Sequence, residues 1–297
     1  MKKGGLLKDL KKNWRSYVFV TPVTLGVIIF SLYPIVSSLY YSFFTYNIAY
    51  PPYNFGVYNY VKAFTSDWQK VGKSIGITLT YTAIQVPLSL VLSFLLALLL
   101  NKAGKAVGIF RTLFYSPVII PAIVSSLLWV DIIDPVYGLM NAVFRALGLP
   151  ESKFIYDADT ALGTVIWIGM WSIGGNMILW LSALKNVPSE LKESARLDGA
   201  GKLRVLFHVT IPMCSSIIFY ILVTSTIAAL QTFGVYFMTG GGGTDDSLLF
   251  FGVKIYLEGF YSARFGYACA LSWIMFLIVG LFSVLLFKTN RWVYYEE

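Results

Sequence analysis

The chain has 297 residues and a net charge of +8; 57% of its residues are hydrophobic and only 13% are charged. A soluble globular domain carries about 25% charged residues, and a mean hydropathy of +0.69 excludes a soluble enzyme, a disordered chain and a fibrous repeat. The composition is that of an integral membrane protein, and no basic stripe interleaved with aromatics lies outside the apolar segments, which sets nucleic acid aside.

A bilayer core about 30 Å thick needs about 20 apolar helical residues to cross it. Six runs contain no Asp, Glu, Lys or Arg: 16–61, 74–101, 112–130, 160–184, 205–244 and 265–287. Ahead of the first stand Lys2, Lys3, Lys8, Lys11, Lys12 and Arg15. The apolar stretch after them is too long for a secretory leader and has no A-x-A-like site, so an uncleaved first span is expected. This run ends in loop-like Ala49-Tyr50-Pro51-Pro52-Tyr53-Asn54, and the fifth ends in Gly240–Gly243, read as a flexible external loop. One helix per run gives spans at about 17–43, 75–100, 110–131, 161–183, 209–233 and 266–287. The expected fold is a single all-α polytopic domain.

Gly72-Lys73-Ser74 resembles the end of a phosphate-binding loop, but Asp67 stands where the opening glycine is needed, so no ATPase is visible in this chain. Cys214 and Cys269 fall in apolar runs and read as core thiols. His208 is the only histidine, which leaves no basis for a His metal site. Catalytic and metal-ligating residues are therefore none.

The positive-inside rule orients the spans. With both termini and the loops near 101–111 and 184–208 on one side, that side holds sixteen of the 23 Lys and Arg and six of the 15 Asp and Glu. Both termini are expected in the cytoplasm.

One loop is unlike the rest. Between spans four and five, Pro188 suits a helix start and Ser189 a cap; Glu190 and Glu193 suit the first turn. Asp198-Gly199 reads as the stop, since glycine takes the left-handed position cheaply. The helix, at about 189–199, is too short and too charged to span. Ser194, Ala195 and Ala200 would let another surface approach closely. An amphipathic helix lying on the membrane surface fits the same pattern.

Glu193-Ser194-Ala195, then Asp198-Gly199-Ala200, then Phe207, Ile211 and Pro212, is similar to the EAA loop of binding-protein-dependent ABC importer permeases, with Ser194 where the family has Ala. Tyr33-Pro34, Ser42-Phe43, Asn59-Tyr60, Arg111-Thr112-Leu113 with Pro117 and Pro121, Trp129, Pro135, Gly138-Leu139, Asn141, Thr239-Gly240-Gly241-Gly242 and Gly266-Tyr267-Ala268 resemble the carbohydrate permeases of the maltose and glycerol-phosphate type. The resemblance implies a type I ABC importer permease fold in a bacterial or archaeal cytoplasmic membrane. It implies that the short helix couples to a separate ATPase through Glu190, Glu193, Ser194, Ala195, Asp198, Gly199 and Ala200, with Glu193 meeting a basic residue there. It further implies a second, similar permease (a heterodimer), two ATP-binding subunits that hold ATP and Mg, and an external solute-binding protein.

A polar path should run along helix faces. Span five offers Ser225, Ala228, Ala229 and Thr232 at spacing i, i+3, i+4, i+7, with Gln231 adjacent. Span four offers Ser172, Gly175 and Asn176, with Trp171 beside them. Helix packing explains small residues at this spacing equally well; the resemblance favours a sugar path, because the family's sugar contacts lie on these two spans. No charged residue lies mid-span, whereas ion-coupled carriers place such groups there. That argues against the alternative, an ion-coupled secondary carrier, and for a neutral or externally captured solute. A membrane enzyme lacks a nucleophile–base pair, a metal cluster or paired carboxylates at depth.

Overall fold

The computed structural model describes residues 13–101 and 105–293. Expectations that rest on Lys2, Lys3, Lys8, Asp9, Lys11, Lys12, Lys102, Glu296 and Glu297, or on the side chains of Lys105 and Arg291, lie outside the described residues.

The chain opens with α1 (Trp14–Ser42), then a two-stranded antiparallel ribbon, β1 (Thr45–Asn47) and β2 (Tyr50–Tyr53). There follow α2 (Tyr58–Phe64), α3 (Trp68–Leu100), α4 (Lys105–Ile119), α5 (Ala122–Ile132) and α6 (Leu139–Ala146). Next come α7 (Ala158–Gly169), α8 (Gly174–Asn186), α9 (Ser189–Leu197), α10 (Lys202–Met213) and α11 (Ser215–Leu230). The short α12 (Tyr236–Thr239) and α13 (Phe251–Tyr256) precede α14 (Phe265–Lys288). The ribbon is a small departure from an all-α chain. It forms where Pro51 and Pro52 bar a helix, and Asn47 Oδ1 accepts from the Tyr50 amide at 3.1 Å.

Three helices, α1, α3 and α14, are each long and apolar enough to cross a membrane. Three further crossings are bent pairs, α4/α5 by 101°, α7/α8 by 47° and α10/α11 by 67°, which brings the total to as many as six. The single helices expected at about 110–131, 161–183 and 209–233 are therefore each broken. Pro121 caps α5 with extended backbone (ψ 138°) and has no amide hydrogen to continue α4. A 3-10 turn, Met170–Ser172, separates α7 from α8. Cys214, at φ −92° and ψ 7°, follows Pro212 at the third break. Helix α3 starts at Trp68, well before residue 75, because Lys70 and Lys73 interrupt the uncharged run without interrupting the helix.

Packing divides the chain into two compact units, where the sequence reads as one domain. The first comprises the described residues of Met1–Thr65 with Glu258–Ile274. None of the residues Trp14–Val27 is buried, and Phe19 and Phe30 are more than four-fifths exposed; an apolar helix of this kind is solvated by lipid. Buried Asn59 donates to the carbonyls of Ser42 and Phe44, both at 2.9 Å, and Ser42 Oγ lies 2.8 Å from the Tyr60 hydroxyl. Gly266 abuts the Phe44 carbonyl, and Lys62 sits 4.4 Å above the Tyr267 ring. The motif residues Ser42, Asn59, Tyr60, Gly266 and Tyr267 thus meet in one joint.

The second unit comprises the described residues of Ser66–Leu257 with Met275–Glu297. One apolar cluster centres on Trp129, Ile133, Ile155, Val165, Leu248 and Phe250, the other on Ala97, Met177, Trp180, Leu184, Cys214 and Ile221. Asn141, 1% exposed, donates to the carbonyls of Pro135 (3.0 Å) and Ser152 (2.9 Å) and accepts from the Ser152 amide (3.0 Å). Each such bond is worth about 0.5–1.5 kcal/mol net, and together they close the loops on either side of α6. An ion pair between buried Lys254 Nζ and half-buried Asp67 Oδ2, at 2.8 Å, ties α13 to the start of α3. The segment Gly240–Gly243, expected as an external loop, is a loop of bends whose backbone makes hydrogen bonds. Gly240 takes φ +66° as the cap of α12, Thr239 Oγ1 donates to the Gly241 carbonyl at 2.6 Å, and the Leu248 amide donates to that of Gly242 at 2.7 Å.

Candidate functional site

A cavity of about 230 Å³ lies within the second unit. Helix α3 contributes Tyr81, Gln85, Val86 and Ser89; the α7–α8 break contributes Gly169, Ser172 and Ile173; α8 contributes Asn176; and α11 with the residues just past it contributes Ser225, Ala228, Ala229 and Thr232. Tyr81, Gln85 and Ser89 recur every fourth residue and so share one face of α3, as Ser225, Ala228 and Ala229 share one face of α11, with Thr232 just past its end. Asn176 Nδ2 donates to Ser225 Oγ at 3.3 Å, joining α8 to α11. The Tyr81 ring meets Phe250 edge-on at 5.1 Å. Among the described residues the lining holds hydroxyls, amides and aliphatic groups but no Asp, Glu, Lys, Arg or His. It can exchange neutral hydrogen bonds with a solute; it offers no nucleophile–base pair.

Of the path residues read from sequence, Ser172, Asn176, Ser225, Ala229 and Thr232 meet at this cavity, and Trp171 and Gln231 do not. The Trp171 ring packs edge-on against Trp129 at 5.4 Å, in the apolar core. Helix α11 ends at Leu230, so Gln231 is its exposed cap. Tyr81, Gln85 and Ser89 on the second span were not singled out from sequence; their four-residue spacing inside an apolar run was the available signal. A larger cavity, about 530 Å³, lies by Met140, Phe144, Phe154 and Trp167 and touches none of the residues read as a path.

Helix α9 occupies the loop singled out as a coupling helix. Pro188 takes the cap position and Ser189 is the first helical residue, so Ser189 is not the cap that the sequence suggests, and the helix stops at Leu197. Gly199 takes φ +80°, where a side chain would be strained; the Ala200 amide then donates to the Ala195 carbonyl at 2.9 Å. Glu190, Glu193, Ser194, Asp198 and Gly199 are exposed, and Ala195 and Ala200 are half-buried. Leu197 is 89% exposed, with Leu203 and Phe207 also outward.

Gly72-Lys73-Ser74 lies inside α3, where Lys73 Nζ donates to the Asp245 carbonyl and Ser74 Oγ to that of Val71, so its donors are turned to the chain itself. At the end of α5, Asp134 Oδ1 accepts from the amides of Val136 (2.8 Å) and Tyr137 (3.0 Å), which closes the turn there. The Asp134 carboxylate, followed by desolvation and Asp131, raises the Tyr137 phenol above its ordinary range.

Comparison with known proteins follows the same lines. The profile of the family described as binding-protein-dependent transport system inner membrane component matches residues 89–294. The chain is 36% identical to the probable ABC transporter permease protein YesP of Bacillus subtilis over 302 residues, covering 100% of this chain and 96% of that one. It is 31% identical over 292 residues to the multiple sugar-binding transport system permease protein MsmF of Streptococcus mutans, covering 96% and 97%. Its fold superposes with a TM-score of 0.84 and 22% identity on a chain of a bacterial ABC transporter that imports the acidic polysaccharide alginate, covering 96% and 98%. Matches that run nearly end to end agree with an architecture of up to six crossings interrupted by one exposed charged helix. The chain belongs to the binding-protein-dependent transport system inner membrane component family, as a multi-pass permease of an ABC transporter.

Proposed function

We propose that this permease conducts a carbohydrate, either a mono- or oligosaccharide or a related polyol, across the cytoplasmic membrane by alternating access. The observation that carries the reading is the uncharged polar cavity between α3, α8 and α11: hydroxyl and amide groups at membrane depth suit a solute that presents hydroxyls. The name of the relative MsmF, a sugar-transport permease, supports the same class.

The chain works with a second, homologous permease, most simply as a heterodimer, with two ATP-binding subunits that hold ATP and Mg, and with an external solute-binding protein. The excess of Lys and Arg in alternate loops orients both termini to the cytoplasm of a bacterial or archaeal cell. That orientation presents α9 to the ATPase, with Glu190, Glu193, Ser194, Ala195, Asp198, Gly199 and Ala200 as the gripped surface. Nucleotide-driven movement of α9 reaches the cavity directly, because α8 precedes α9 and α10–α11 follow it. The cycle runs on the differential affinity of solute and nucleotide for inward and outward states.

Asn176→Leu and Thr232→Leu in the reconstituted transporter test the cavity's role. Uptake is expected to fall strongly while ATPase activity stimulated by the binding protein persists. Unchanged uptake in both variants would reduce these side chains to helix packing.

A further inference from the structure

We infer that Gln85 makes this cavity select uncharged polyhydroxylated solutes over anionic ones, and that Gly169 positions its amide; the inference rests on the reading of the cavity as a carbohydrate path. Gln85 lines the cavity and is 9% exposed. Its Oε1 is buried and has no hydrogen-bond partner among the described residues. A buried carbonyl oxygen left unpaired is costly, and a ligand that brings a donor to it removes that cost. Ser89, Ser172, Asn176, Ser225 and Thr232 stand around the same space, so a ligand that satisfies Gln85 meets further neutral donors and acceptors.

A sugar hydroxyl both donates and accepts, so it can pair with either end of the amide. An ionised carboxylate or phosphate only accepts, so it can meet only the Nε2 end of the amide and leaves Oε1 unpaired. The lining has no cation to offset such a charge, and a buried anion without a counter-charge is strongly disfavoured. One side chain therefore serves twice, favouring hydroxyls and opposing anions.

Gly169 fixes where that amide lies. A Cβ built there would overlap Gln85 Nε2 and lie 3.0 Å from Cδ and 3.1 Å from Oε1. The amide rests against bare backbone where α7 gives way to the 3-10 turn, in space that only glycine leaves open. Alanine at 169 would push the amide aside without removing it, which makes Gly169 a positioning residue.

The test uses the assembled transporter in nanodiscs without its binding protein, so that only the membrane subunits choose. Saturation-transfer NMR would be recorded with neutral probes (glucose, sorbitol, maltotriose) and matched anionic probes (glucuronate, glycerol 3-phosphate, trigalacturonate). At least one neutral probe is expected to bind and its anionic counterpart to fail. Gln85→Leu should weaken the neutral probe about tenfold, as loss of one well-made hydrogen bond does. Gln85→Lys should reverse the preference, and Gly169→Ala should weaken neutral binding when Gln85 is present but add no further loss in the Gln85→Leu background. Anionic probes that bind the unmodified transporter as well as neutral ones, or neutral binding unaffected by both Gln85→Leu and Gly169→Ala, would overturn the inference and leave the carbohydrate path standing. Failure of every probe to bind the unmodified transporter would overturn the path reading and the inference with it.

Discussion

At Gly174 the start of α8 runs against the carbonyl oxygen of Phe114, and a Cβ there would overlap that oxygen and crowd Tyr115. Backbone cannot step aside as a side chain can, so overpacking at this contact is expected to cost about 1–3 kcal/mol. Gly174→Ala should lower the melting temperature of the purified protein in detergent. Gly280→Ala, in α14 with nothing within 4 Å of the added carbon, should leave it unchanged or slightly raised. Equal melting temperatures for the two variants would contradict the close approach of α8 to α4. At this scale the sequence was read in part. Ser225, Ala229 and Thr232 were legible from helical spacing, and Ser172 and Asn176 as polar groups in an apolar span. Tyr81, Gln85 and Ser89 escaped because composition weighs a run by its average, and three polar positions vanish within Trp68–Leu100. Trp171 and Gln231 lie outside the cavity lining, because sequence adjacency to a polar face says nothing about which way a residue turns at a helix end.

Among elements, α9 stands apart, a short helix with a charged, exposed face and an outward Leu197 between two bent crossings. Glu193 lies exposed in its middle, so reversing its charge touches no buried contact and should change stability by less than about 0.5 kcal/mol. Glu193→Lys is expected to insert and fold normally yet abolish ATP-driven uptake, read by membrane yield and transport in the same preparation. Normal uptake would refute the coupling role. The pattern of α9 was legible, apart from its cap, because charge and a stop at Gly199 act locally. The bends were not, although Pro121 and Pro212 stood in view: hydropathy counts residues and carries no direction, so a 101° turn between α4 and α5 looks like one continuous span. The β1–β2 ribbon escaped for a related reason, since Pro51 and Pro52 exclude helix without specifying what replaces it.

Over the whole molecule, several of the motif residues that marked the family from sequence serve as joints. Asn59 and Gly266 knit the first unit, and Asn141 closes loops in the second. The polar cavity and α9 are joined by continuous chain through α8, α10 and α11, which is the arrangement a lever needs. The most direct measurement is site-specific cross-linking from Leu197→Cys in intact membranes of cells carrying the whole transporter. Native Cys214 and Cys269 are buried, so the introduced thiol, on an 89% exposed position, dominates the reaction. The account expects no labelling by a membrane-impermeant reagent from outside, labelling once the cytoplasmic face is opened, and a cross-link to the ATP-binding subunit that changes in yield when nucleotide is added. Labelling from outside the cell, or a thiol that reacts freely from the cytoplasm but never captures that subunit, would contradict it.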